Sequence, residues 1–137
     1  MTLNAYLHMN GNCKEAFAYY QKHIGGEVTM SMSYADAPDA PDKSAEAQKR
    51  VIHTNLMGEG ISLMGSDQPP GTPSAPMHGV TLALNVTSIA EADRLFAALS
   101  AKGEVRQPLM ETFFSHRFGM CVDQFGTNWM VNAFKVP

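Results

Sequence analysis

Two stretches of this chain say nearly the same thing. "NCKEAFAYYQKHIGGEV" runs from Asn12 to Val28, and "SIAEADRLFAALSAKGEV" from Ser88 to Val105. Each begins on a good helix-capping residue, Asn12 or Ser88, with a glutamate three positions on, Glu15 or Glu91. That spacing predicts a capping box, in which the cap side chain and the glutamate each satisfy an orphan backbone donor. Ala16, Tyr20 and Ile24 give the first helix one apolar stripe, and Ala92, Leu95, Phe96 and Leu99 give the second its own. Ala16 and Tyr20 fall on Ala92 and Phe96 at the same offset of 76 that separates Asn12 from Ser88. Both segments then stop at Gly-Glu-Val. Three shared letters arise easily by chance; cap, stripe and stop recurring together point to an internal duplication.

The flanks repeat as well. Leu3–Met9 reads as a strand running into the first helix, and Val28–Tyr34 as a strand with Met30 and Met32 on one face. The Pro- and Asp-rich stretch Ala35–Lys49 reads as an exposed loop. "RVIHTNLMGEGISLMGSD" follows as two strands turning at Gly58-Glu59-Gly60. Gln68–Gly79 holds four of the eight prolines and reads as a linker. The second half runs in the same order: strand Val80–Val86, the second helix, strand Glu104–Met110, and a hairpin turning at Asp123–Gly126. The expected fold class is α+β. Two tandem βαβββ modules, residues 1–67 and 80–137 around the linker 68–79, form a curved, mostly antiparallel eight-stranded sheet with its helices on the convex face. A concave face without a helix must be filled by side chains or by a ligand, so a small-molecule site is expected there.

Composition narrows the partners. A net charge of −3, with no Lys/Arg cluster, argues against nucleic acid and against an anionic membrane surface. No apolar run approaches the ~20 residues a membrane span needs. The opening "MTLNAYLHMN" lacks the layout of a signal peptide. Cys13 and Cys121 form neither a CxxC nor a disulfide framework, so a cytoplasmic protein with reduced, packed thiols is expected. No GxSxG, P-loop or GxGxxG supports hydrolytic or nucleotide chemistry, and no glycine-rich loop after a first strand suits an adenosyl cofactor.

With these elements in place, "NGNCKEAFAYYQKHIGG", "VIHTNL…LMGSD" and "PLMETFFSHRFGMCVDQFGTNWMVN" resemble the vicinal-oxygen-chelate superfamily of glyoxalase I, extradiol dioxygenases and bleomycin- and fosfomycin-resistance proteins. Within it the likeness is to the PhnB-like branch. The resemblance implies a divalent metal held by His and Glu from four strands. The residues depart from that pattern. Ala5, Thr81 and Met130 stand where two histidines and a glutamate belong, and "ISLM" carries no carboxylate. Thioether sulfur suits only soft ions. No metal ligand and no cofactor are therefore assigned.

Among the histidines, His23 suits a helix C-terminus. His78 falls in the linker and His116 in a loop. His8, three residues from Ala5, is expected on the helix side of its strand. His53 and Asn55 alternate with Ile52 and Leu56 and so share a polar face. They are taken as pocket candidates together with Asp67, Phe114, Asn128, Met130 and Asn132. Phe114 stands where the PhnB-like branch commonly carries tryptophan. Most of the aromatics from Phe113 to Trp129 are expected in the core. The reading is a small-molecule-binding protein acting as a homodimer. The alternative is a divalent-metal lyase, isomerase or dioxygenase-type enzyme with an unorthodox site that includes His53.

Overall fold

The computed structural model describes residues 1–40 and 42–135. The first module comprises β1 (Ala5–Met9), α1 (Cys13–His23), β2 (Glu27–Ser33), a 3-10 turn (Tyr34–Asp36), the short helix α2 (Ala45–Gln48), β3 (Val51–Gly58) and β4 (Ile61–Asp67). The second comprises β5 (Leu82–Val86), α3 (Ile89–Ser100), β6 (Glu104–Met110), β7 (Ser115–Val122) and β8 (Asn128–Phe134). The expected α+β class of two βαβββ modules holds, with the eight strands hydrogen-bonded as two sheets of four. Their orders, β1-β4-β3-β2 and β5-β8-β7-β6, are the same. In each, the first strand pairs parallel with the last and the remaining pairs are antiparallel. Two compact units divide between Ser74 and Ala75.

The second helix buries the stripe its sequence announces; the first buries Ala16 and Tyr20 of its stripe, while Ile24, just past its end, is half-buried. In α1, Cys13, Ala16, Phe17 and Tyr20 are buried; in α3, Ala92, Leu95, Phe96 and Leu99 are. A Phe or Leu so buried contributes roughly 1.5–3 kcal/mol. Both sheets make room for a helix phenylalanine by placing glycine beneath it. A Cβ on Gly65 would lie 2.7 Å from Phe17 Cε1, and one on Gly119 would lie 2.9 Å from Phe96 Cε2.

The repeated Gly-Glu-Val has a backbone cause. Gly26 leads into β2 and Gly103 into β6, each against the carbonyl of a neighbouring strand. An added Cβ would sit 3.0 Å from Met57 O at Gly26 and 2.2 Å from Val122 O at Gly103. The following glutamates, Glu27 and Glu104, pair with those same residues, Met57 and Val122.

The caps are less alike than their sequences. Ser88 accepts from Glu91 N at 3.1 Å, as expected, but the Glu91 carboxylate turns to Arg94 instead of back to the cap. Asn12 makes no side-chain cap at all. The carboxylate of Asp67, 54 residues beyond the start of α1, takes that place: its Oδ1 accepts from Gly11 N at 2.7 Å and Cys13 N at 3.1 Å.

Three further expectations are corrected. The Ala35–Lys49 stretch is not simply an exposed loop, because Tyr34, Ala40 and Ala47 bury one another in a satellite core against which Ile52 packs. His116 lies within β7, exposed, where the ladder to β8 shifts register. Phe113 and Phe114 are exposed and not core, whereas Trp129 is buried.

Candidate functional site

Burial assigns the faces of the first sheet. Thr54 and Leu56 of β3, Leu63 of β4, and Leu7 and Met9 of β1 are buried, and the Phe17 ring from α1 lies over Gly65. By alternation, Tyr6, His8, His53, Asn55, Met64 and Ser66 point to the other face, which α1 leaves bare. On edge strand β2, Met30 and Met32 lie opposite Asn55 and His53 and share that bare face. His53 and Asn55 therefore project as their alternation implied. His8 does not lie on the helix side: Leu7 and Met9 take that side, and His8 follows Tyr6. Counting from Ala5 gave the wrong parity, because Ala5, itself half-buried, shares its side of the strand with the buried Leu7 and Met9.

Tyr6 organises this bare face. Its hydroxyl lies 3.2 Å from His53 Nδ1. Its ring lies 5.0 Å from that of His8 and 5.7 Å from that of His53. Neither Tyr6 nor His8 was among the sequence candidates. The signal that would have found them is the Leu7/Met9 pair, which fixes the strand's apolar face. Asn55 Oδ1 is buried and has no hydrogen-bond partner. Met30 and Met32 remain 44% and 39% exposed, so around His53 this surface offers thioethers, imidazoles and a phenol, with Glu27, opposite Met57, at its far end.

Asp67, a pocket candidate from sequence, is instead a structural knot. It is 3% exposed, and besides the bonds to Gly11 and Cys13 its Oδ2 accepts from Val51 N at 2.9 Å. The Tyr34 hydroxyl donates to its carbonyl at 3.0 Å. Beside it, Arg50 donates to Asn10 Oδ1 at 2.6 Å and to Gln68 O at 2.9 Å. Asp123 plays the matching part in the second module. Its Oδ1 accepts from Phe125 N and Thr127 N, and its Oδ2 from Trp129 Nε1 at 2.8 Å. Each aspartate has a cysteine for neighbour. Burial, then the charge of Asp67, pushes the Cys13 thiol up to about 12. Burial, then Asp123, pushes Cys121 up to about 11. Neither is a nucleophile at neutral pH.

In the second sheet, Trp129 and Val131 are buried. Asn128, Met130 and Asn132 alternate with them, as the strand period implied. Asn132 is nevertheless buried, its amide oxygen hydrogen-bonded by the Ser115 hydroxyl and its Nδ2 3.5 Å from Asn85 Oδ1. Asn128 spends its amide on chain pinning, donating to Met77 O and Val80 O. Met130 pairs with Ala83 and Met120. Phe114 meets Phe118 edge-on, centroids 5.4 Å apart.

A hard divalent cation does not fit these donors. Among the described residues no group of three or more His, Cys, Asp or Glu could hold a metal ion. Nor is any described helix long and apolar enough to cross a membrane.

Two four-stranded βαβββ sheets of identical order, each carrying one helix on one face, define a class, and the chain belongs to the Glyoxalase/Bleomycin resistance protein/Dioxygenase superfamily, whose family model matches residues 2–131. Among individual proteins it is similar to YjdN of Escherichia coli K12, at 35% identity over 98% of this chain and 97% of YjdN. It is similar also to protein PA1353 of Pseudomonas aeruginosa, whose crystal structure matches with a TM-score of 0.86 at 39% identity, covering 96% of each chain. The PhnB protein of Bacillus cereus shares the fold, with a TM-score of 0.81 at 22% identity over 96% of this chain and 98% of that one.

Proposed function

We propose that this chain is a small-molecule-binding member of the superfamily that works without the usual divalent metal. In this reading it holds its ligand against the bare face of the first sheet. One observation carries it: Asn55 Oδ1 is buried with no donor, beside the Tyr6–His53 hydrogen bond. A buried acceptor left unpaired costs about 1–3 kcal/mol, which a ligand N–H or O–H donor would offset. The methionines around it adapt to irregular apolar shapes. In the second module, Phe114, Met130 and Asn132 are the residues we would test first for ligand contact. The reading includes a homodimer, supported by the exposed apolar side chains Phe113, Phe134 and Met110.

The test has two arms. Protein purified untagged and without chelator is assayed for metal, with no stoichiometric zinc, nickel or manganese expected; finding one overturns the reading. A thermal-shift screen of small aromatic compounds bearing N–H or O–H groups should yield a binder that Asn55→Leu no longer recognises. Equal shifts for both proteins would count against the site. A second reading, a divalent-metal enzyme, draws support from His8 sharing a face with His53. It requires stoichiometric divalent metal that is lost in His8→Ala and His53→Ala.

A further inference from the structure

We infer that the bare face of the first sheet carries a site for a soft monovalent ion, Cu(I) or Ag(I), built from the Met30 and Met32 thioethers and His53 Nε2. The inference goes beyond the reading above and does not rest on it, since failure to bind any organic ligand leaves it standing.

The backbone places the three donors together. Met30 and Met32 are two residues apart on β2, so their Cβ atoms stand ~6.7 Å apart on one face, two strand rises of about 3.3 Å. The β2–β3 ladder shifts register between Val28 and Met30 and again between Met32 and Ser33, but it is regular in between: Met30 faces Asn55, Ser31 faces Thr54 and Met32 faces His53. Directly opposed side chains hold their Cβ atoms about 4.5–5.5 Å apart, and long side chains reach their diagonal neighbours as well. Met30 is diagonal to His53 and Met32 is opposite it. Both methionines are exposed residues, at 44% and 39%, so an ion reaches them without opening the core.

The chemistry selects the ion. Thioether sulfur ligates soft ions such as Cu(I), and imidazole suits copper as well, whereas carboxylates and carbonyls serve hard cations. Among the described residues, the carboxylate that the ladder places on this face is Glu27, opposite Met57 and two pairs further along β3 from His53, so the donors beside His53 are the two thioethers. His53 is also prepared as a ligand. Its Nδ1 lies 3.2 Å from the Tyr6 hydroxyl. With the ring proton on Nδ1 and donated to the Tyr6 oxygen, Nε2 presents its lone pair. Such outer partners orient a ligating imidazole and fix its tautomer.

The test is an anaerobic titration of full-length protein against the coloured bicinchoninate complex of Cu(I), with silver nitrate calorimetry as a redox-inert second probe. The wild type should withdraw one Cu(I) per chain, and the Met30→Leu/Met32→Leu double variant should withdraw none. Leucine keeps the apolar volume of the edge strand, and a far-UV spectrum matching the wild type checks that it folds. Tyr6→Phe removes the outer partner and keeps all three donors; affinity should fall by about tenfold or more. Met9→Leu, at a buried methionine, should bind as wild type. Undiminished binding by the double variant would place the ion on other sulfur, the Cys13 and Cys121 thiols included, and overturn the proposal. So would a wild type that withdraws no Cu(I), or a Tyr6→Phe protein unchanged in affinity.

Discussion

Replacing Asp67 by alanine should remove more stability than any surface change in this chain, and the size of the loss can be worked from its partners. The carboxylate accepts from Gly11 N at 2.7 Å, Cys13 N at 3.1 Å and Val51 N at 2.9 Å. Gly11 is exposed, so water can replace the lost oxygen there. Cys13 and Val51 are 0% and 3% exposed, so their N–H groups would be left without a partner. Two buried orphan donors at about 1–3 kcal/mol each give about 2–6 kcal/mol, and relief of the carboxylate's own desolvation cost brings the expected loss to roughly 2–4 kcal/mol. Against a typical domain stability of about 5–15 kcal/mol, that is enough to unfold a sizeable fraction of the first unit. Asp67→Asn keeps one oxygen for Gly11 and Cys13 but turns an amide N–H towards Val51, and should lose about 1–3 kcal/mol. Urea denaturation followed by far-UV circular dichroism measures the total. Amide exchange at Cys13 and Val51 localises it. The matching control is Asn12→Ala, which breaks no cap bond and should cost under about 0.5 kcal/mol, while Ser88→Ala should cost about 1 kcal/mol. An Asp67→Ala protein within about 1 kcal/mol of wild type, or one with Cys13 and Val51 amides still protected, would refute the assignment of the cap.

The thiols should be inert in the fold: a disulfide reagent at pH 8 should label neither Cys13 nor Cys121 until urea is added, and prompt labelling would contradict their burial. Their folded pKa values, about 12 and about 11, lie above the ordinary 9.0. Unfolding then releases protons only above pH 9, so this contribution is complete below pH 9 and is lost as pH climbs towards 11 and 12, which denaturation midpoints across that range should show. Gly65→Ala would push a Cβ to 2.7 Å from the Phe17 ring and should cost about 1–3 kcal/mol, part of which Phe17→Leu should restore in the double variant. Gly103→Ala meets a backbone carbonyl at 2.2 Å, which cannot rotate away, and should lower the thermal midpoint further than Gly65→Ala does. Light scattering at micromolar concentration should give twice the chain mass of 14.9 kDa, and a single-chain mass would refute the homodimer.

Local pattern determined a great deal here. The 3.6-residue stripes placed both helices and named the four buried residues of α3, but in α1 they named Ala16 and Tyr20 and missed Phe17. The turn glycines placed both hairpins, and the period of two sent His53, Asn55 and Met130 away from the helices. These are properties of neighbours in sequence, so the sequence carries them. What it could not carry were partnerships at long separation. Asn12 looks as good a cap as Ser88, yet a carboxylate at the end of β4, 54 residues beyond the start of the helix, caps α1, because the parallel β1–β4 pairing sets Asp67 opposite Met9, at the turn before that helix. Asp67 itself passed for a pocket residue for the same reason. His8 was assigned the wrong face because strand parity is set by which residues a distant helix buries, and a count begun at Ala5 does not contain that information. The Pro-rich stretch after β2 looked solvated until Tyr34, Ala40 and Ala47 met. Only the tertiary fold decided that Tyr6, His8, His53 and the β2 methionines share one surface, since β4 joins β1 to β3 and β2 pairs along β3's other edge, and no single segment holds more than two of those side chains.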